Sequence, residues 1–225
     1  RHFLEADQGK AFRGYQREDW QRYVAFYRRL TEKVDAEMGQ VVQEVRRTLP
    51  EAVLVFSSDH GDLGGAHGLA FKGPAMYEEL VRVPFIISQA GKIKPSVCDA
   101  LVSQIDLLPT LCDLAHVNHP AGIDGLSLVP LLSGATQSWT GRDAIFAEYY
   151  GKQDWRVPIR MVRTRDWKYV RYLGYGEELY HLESDPHELI NLVGVAEHKQ
   201  KQRDLAGRLD TWLAQTQDPF RQLTV

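Results

Sequence analysis

The run AVLVFSS, residues 52–58, constrains this chain more than any other segment. It is short, apolar and rich in β-branched residues, which suits a strand buried on both faces, and it stops at Asp59, His60 and Gly61. A loop containing Gly64, Gly65 and Gly68 leads to Lys72, then AMYEELVR reads as a short helix and VPFIIS (83–88) as a second buried strand. The charge therefore gathers where a hydrophobic strand ends. In open α/β sheets that is the edge at which ligands bind; the competing reading is a solvated polar turn.

The rest of the chain supplies helices and further strands. Trp20, Tyr23, Val24, Tyr27, Leu30, Val34, Met38, Val41, Val42, Val45 and Leu49 recur at steps of three and four, which predicts one long amphipathic helix ending before Pro50. LVSQIDLLPTLCDLAHV reads as a strand end followed by a helix, with Pro109 near the helix start, and AIFAEYY (144–150) as a strand. Strands alternating with helices predict an α/β fold with a mostly parallel sheet covered by helices. Beyond about residue 140 the composition shifts. IRMVRTRDWKYVRYL alternates and breaks at Arg165-Asp166-Trp167, which predicts an antiparallel hairpin with one wet face; AEHKQKQRDLAGRLDTWLAQ reads as a closing helix. We therefore expect an α/β core in 1–140 and a small antiparallel α+β subdomain in 141–225.

Composition narrows the function classes. A formal charge of −3 gives no sign of a nucleic-acid or membrane-surface binder, and no apolar run reaches the roughly 18 residues a bilayer requires. The opening RHFLEADQGKAFRGYQRED has no apolar h-region and no Met, so it reads as a processed or cut end rather than a signal peptide, and the compartment stays open. Cys98 and Cys112 are too few for a disulfide framework and lack metal-ligand spacing.

Asp59 and His60, adjacent at a strand end, can reach one ion only if the chain turns there, and Gly61 permits the turn. A carboxylate with one further ligand is half a site for a hard divalent cation, which wants six or more ligands. Lys72 follows thirteen positions after Asp59. A lysine beside a cation is repelled unless an anion lies between them, and a sulfate or phosphate would satisfy both. His67 is a weaker candidate, for contact with substrate. Asp62 suits a rim or turn position, and Tyr77, Glu78 and Glu79 suit a helix start. Arg156, Arg160 and Arg163 are candidates for an anionic cleft, though a solvated charged strand explains them better.

VLVFSSDHGDLGGAHGLAFKGPAMYEELVRVPFII resembles the sulfatases of the alkaline-phosphatase-like superfamily: a hydrophobic strand, S-D-[HN]-G, a glycine-rich stretch with H-G, a lysine, a tyrosine-containing helix and V-R-V-P. The likeness continues co-linearly through VSQIDLLPTLCDLAHV and GIDGLSLVPLLSG to MVRTRDWKYVRYL and ELYHLESDPHELINLV. It implies that Asp59 and His60 ligate a divalent cation, usually calcium, and that Lys72 binds sulfate oxygens. It further implies hydrolysis of sulfate esters by a formylglycine hydrate made from a C/S-x-P/A-x-R segment. No such segment occurs in this chain. The expectation is thus the C-terminal portion of a sulfatase, inactive alone, whose partners are the missing N-terminal half and a sulfated small molecule or glycan. The alternatives are a phosphonate monoester or phosphodiester hydrolase of the same superfamily, and a non-catalytic binding domain that kept the fold.

Overall fold

A computed structural model of the chain describes residues 12–135, 139–152 and 155–223. The opening stretch discussed above lies outside the described residues through residue 11. The chain divides into two units after Lys92.

The first unit starts with α1, Arg17–Thr48, a 32-residue helix. It begins where the Gln16 N–H donates to the Asp19 carboxylate at 3.0 Å, a reciprocal cap. It ends where Leu49 N–H closes on Val45 O at 2.7 Å before Pro50. None of its residues is buried. Two strands follow, β1 (Val53–Ser57) and β2 (Phe85–Gln89), separated by the loop and by α2 (Glu78–Val81).

The two strands pair antiparallel, Val55 opposite Ile87 and Ser57 opposite Phe85; the 27 residues that join them, 58–84, are long enough for either direction. Phe56 and its direct partner Ile86 share one face and are 41% and 57% exposed, so this ladder is not covered on both faces in the described structure.

The second unit contains α3 (Leu107–Leu114), α4 (Val129–Leu132), strands β3 (Ile145–Lys152), β4 (Trp155–Arg163), β5 (Trp167–Tyr172) and β6 (Gly176–His181), and α5 (Lys199–Gln215). Pro109 falls in the first turn of α3, where its missing N–H costs nothing. Ahead of it Gln104–Asp106 form a 3-10 turn, with no strand at 101–103. Asp106 is fully buried. It accepts from Ser103 N, Leu126 N and both Arg142 guanidinium nitrogens, each at 2.8 Å, which ties three loops to one carboxylate.

The four strands form one antiparallel meander in the order β3-β4-β5-β6. One face carries Val162, Tyr169 and Leu179, packed with Leu205, Leu209 and Leu213 from α5, whose four-residue spacing makes one stripe. Phe146 stacks on Trp212 at 4.9 Å. The wet face expected for the β4–β5 hairpin is absent: Ile159, Met161 and Val170, facing the other way, are 0–2% exposed. The alternation misled because Lys168 looks solvent-facing. It is fully buried, and its ammonium lies 2.8 Å from the equally buried Glu188 carboxylate. Arg160 is likewise neither solvated nor offered to a ligand. It grips Asp218 through two nitrogens at 2.8 and 3.0 Å and donates to the Tyr149 and Ile159 carbonyls. Among the described residues no helix is long and apolar enough to cross a membrane.

Candidate functional site

The end of β1 is bent by three local contacts. Ser58 Oγ donates to His60 O at 2.7 Å, His60 N–H donates to Asp59 Oδ1 at 3.0 Å, and Gly61 N–H donates to Leu80 O at 2.9 Å. The last contact presses the backbone at 61 against α2. A Cβ at Gly61 would stand 1.8 Å from Glu79 O, so no other residue fits without moving one of the two segments. Glycine is required here by close approach.

That bend sends consecutive side chains to one place. Asp59 Oδ2 lies 3.3 Å from His60 Nε2, and Lys72 Nζ lies 2.5 Å from the same nitrogen. The imidazole's other nitrogen, Nδ1, is 2.8 Å from Gly61 O. A carbonyl only accepts, so Nδ1 carries the proton and Nε2 presents a lone pair. Two acceptors, a carboxylate oxygen and an imidazole lone pair, thus converge, and the ammonium of Lys72 meets the imidazole lone pair. The Asp59 side chain is 82% exposed and that of His60 39%, so the cluster opens to solvent.

The donor set fits a hard divalent cation in part. Nδ1–H held by a carbonyl is the arrangement that orients a ligating histidine, and the adjacent carboxylate supplies charge. Among the described residues no group of three or more His, Cys, Asp or Glu is placed to hold a metal ion, so the remaining ligands would have to come from elsewhere.

The other candidates are placed differently. His67 has φ 55°, and its ring stacks on Tyr77 with centroids 3.8 Å apart. Asp62 accepts from Gly64 N–H at 2.8 Å and from Tyr23 OH at 3.4 Å, which makes it a turn residue of the loop. Glu78 and Glu79 occupy the first turn of α2, as the helix dipole favours.

Sequence patterning missed what braces this loop. Phe71, immediately before Lys72, adopts φ 59°, and its carbonyl accepts from Leu63 N–H at 2.8 Å. Its ring packs edge-on to Tyr23 at 6.1 Å and lies 5.9 Å from Phe12, while Trp20 covers Gly65, whose added Cβ would meet the indole at 3.0 Å. The start of α1 therefore clamps both arms of the loop. Burial, and then the Asp62 charge, push the Tyr23 phenol above its ordinary pKa, so it stays a proton donor. The available signal was the density of aromatic residues at 12–27, read above only as a helix stripe.

Comparison with known proteins places this geometry in context. A profile of the family described as "Sulfatase" matches residues 2–117, and one described as "N-sulphoglucosamine sulphohydrolase, C-terminal" matches 65–215. The Delta 4,5-hexuronate-2-O-sulfatase of Bacteroides thetaiotaomicron is 33% identical over 92% of this chain and 44% of its own length. The solved structure of a 2-O GAG sulfatase superposes with a TM-score of 0.88 at 33% identity, over 94% of this chain and 47% of that one. The phosphonate monoester hydrolase of Agrobacterium radiobacter superposes with a TM-score of 0.79 at 25% identity, over 90% of this chain and 43% of that one. The chain thus spans less than half the length of these relatives, and the shared fold is the alkaline-phosphatase-like α/β architecture with its antiparallel C-terminal sheet.

Proposed function

Because the chain belongs to the sulfatase family, we propose that it forms the later part of a sulfuric ester hydrolase that cleaves sulfate from a sugar. The observation that carries this is the convergence of Asp59 Oδ2 and Lys72 Nζ on His60 Nε2, at 3.3 and 2.5 Å. A tetrahedral anion brought to that point meets positive charge at the end of β1. The 2-O-sulfatases among the relatives support a sulfated carbohydrate as substrate.

In this reading Asp59 and His60 hold a divalent cation, with calcium the family's usual choice, together with carboxylates from outside these 225 residues. That ion would act as a Lewis acid on a sulfate oxygen. His60 is pre-oriented for the task, since Gly61 O fixes its tautomer. Lys72 carries its charge on a flexible four-carbon stem, so its ammonium can leave the imidazole for a sulfate oxygen when substrate arrives. There it stabilises negative charge that grows in the transition state. The formylglycine nucleophile would also lie outside the chain, which has no C/S-x-P/A-x-R segment. By itself the chain is expected to be inactive.

The test is turnover by the complete enzyme on an aryl sulfate and an aryl phosphonate monoester. Preferential sulfate hydrolysis supports the proposal. Preferential phosphonate hydrolysis transfers it to the second reading, which the likeness to the Agrobacterium hydrolase favours. Hydrolysis of neither ends both.

A further inference from the structure

Lys72 reaches His60 from the end of a narrow arm. Leu63 N–H donates to Phe71 O and Gly65 N–H donates to Leu69 O, each at 2.8 Å, so residues 63–71 turn back on themselves through two rungs. The tip of the arm is the 3-10 turn Ala66–Gly68. A two-stranded arm is marginal in water by itself, and Lys72 would swing with it. The tip is pinned, however. The His67 ring lies 3.8 Å from that of Tyr77 between centroids, with 17° between their planes. Tyr77 is buried, as are Met76 and Leu80 beside it, so the arm rests on a fixed wall. Tyr77 O accepts from Leu80 N–H at 2.8 Å, and Leu80 O accepts in turn from Gly61 N–H at 2.9 Å, next to His60. These contacts close a circuit. It runs from His60 through Gly61, α2 and Tyr77 to His67, then back along the arm to Lys72.

The backbone at the tip points the same way. His67 takes φ 55°, a left-handed conformation that is disfavoured for a residue with a Cβ, and Gly68 beside it takes φ 70°. A glycine at 67 would hold this turn without strain. The turn itself therefore does not call for a histidine, whereas the stack on Tyr77 needs a ring. We propose that His67 is a positioning residue for the hydrolytic site: its stack on Tyr77 sets the separation of Lys72 from His60, and it does so without touching the substrate. The inference rests on the reading of Asp59, His60 and Lys72 as the group that handles the sulfate.

The test uses variants of the complete enzyme, with kinetics on an aryl sulfate and hydrogen exchange of the 63–71 segment read by mass spectrometry. His67→Gly keeps the turn and removes the ring. It should lower kcat about 100-fold, the scale of an ångström-sized misplacement, leave KM within about twofold, and speed exchange in the segment about tenfold. His67→Phe keeps a ring to stack and removes both nitrogens, so it should restore the protection and bring kcat back to within about fivefold of wild type. A histidine that contacts substrate gives the opposite result: His67→Phe is as slow as His67→Gly and KM rises, which overturns the proposal. Wild-type kcat in His67→Gly overturns it too. Tyr77→Leu removes the other half of the stack. Combined with His67→Gly it should cost no more than the larger single loss, because both act through one contact, and losses that multiply refute the proposal. If His67→Phe fails to fold, this cycle decides. Hydrogen exchange keeps the two readings apart. A wild-type enzyme that hydrolyses no sulfate ester ends the hydrolase reading, while protection lost in His67→Gly and kept in His67→Phe still supports the pin, and equal protection in all three removes it.

Discussion

Lys72 Nζ stands 2.5 Å from His60 Nε2, occupying the lone pair that a divalent cation would use. In the proposed reading the ammonium and a divalent cation would compete for one nitrogen until an anion drew the ammonium away. Lys72→Ala in the complete enzyme should lower kcat by two to three orders of magnitude, the usual scale for losing one preorganised charge partner. The same substitution should leave cation affinity unchanged or tighter, because a competing positive charge is gone. Steady-state kinetics and calorimetric titration with calcium check the two arms. A Lys72→Ala enzyme with near wild-type kcat would remove Lys72 from the chemistry.

If Asp59 ligates the proposed cation, Asp59→Ala should act through that ion instead. It removes a carboxylate that touches both the His60 N–H and the imidazole edge. Turnover is expected to fall by a similar factor, and calcium affinity should fall with it. Exhaustive chelation of the wild-type enzyme should reproduce the loss, with recovery on adding calcium. Chelation without effect on activity would end the metal assignment.

Gly61→Ala tests the bend that gathers the cluster. The new methyl would overlap Glu79 O at 1.8 Å, and a backbone atom cannot swing aside as a flexible side chain can. We expect a loss of about 3 kcal/mol, at the upper end for overpacking, read as a lower Tm. Activity should fall further than stability, because His60 moves with the bend.

How far the sequence announced this arrangement depends on range. Asp59, His60 and Lys72 were visible because strand, turn glycine and charge follow one another along a single segment, and periodicity located α1 and α5 from their apolar stripes. Pairings over longer range were not. Arg160 read as part of a solvated charged strand, and the hairpin as wet on one face, because the partners of Arg160 and Lys168, Asp218 and Glu188, lie 58 and 20 positions away. The direction of the β1–β2 pairing was not legible either, because the 27 residues between the strands permit a return in either direction.

The aromatic clamp predicts a contrast between two neighbouring positions. Trp20 shields Gly65 by packing, whereas Tyr23 adds a long hydrogen bond to Asp62 at 3.4 Å. Trp20→Ala should therefore lower kcat about tenfold, by the misplacement logic of positioning residues. Tyr23→Phe keeps the ring against Phe71 and should stay within twofold. KM for a small aryl sulfate should change little in either. Equal, large losses in both would mean that the Tyr23–Asp62 bond, not packing, holds the loop.

Acid should unfold the second unit through Asp218. Burial alone would raise its carboxyl pKa, but hydrogen bonds from Arg160 and from Phe220 N–H, at 2.8 and 2.7 Å, hold it below the ordinary value. Asp210 is lowered likewise, against burial, by Arg171 and Arg221. A depressed carboxyl binds fewer protons folded than unfolded, so its stabilisation is fully present above the unfolded value, about 3.9. It is lost as pH falls below that through the folded value. Tm of the four-stranded unit should thus be insensitive to these two groups between pH 5 and 7 and should drop steeply below about pH 4. Asp218→Asn removes the carboxylate that grips the buried Arg160 guanidinium and leaves only the largely exposed Glu148 carboxylate, 3.6 Å away, at a cost of about 3 kcal/mol. It should therefore start from a lower Tm at neutral pH and show a shallower acid slope. Near-UV circular dichroism of the Phe146–Trp212 stack reports this unit, and an unchanged acid slope in Asp218→Asn would show that other carboxylates carry the effect.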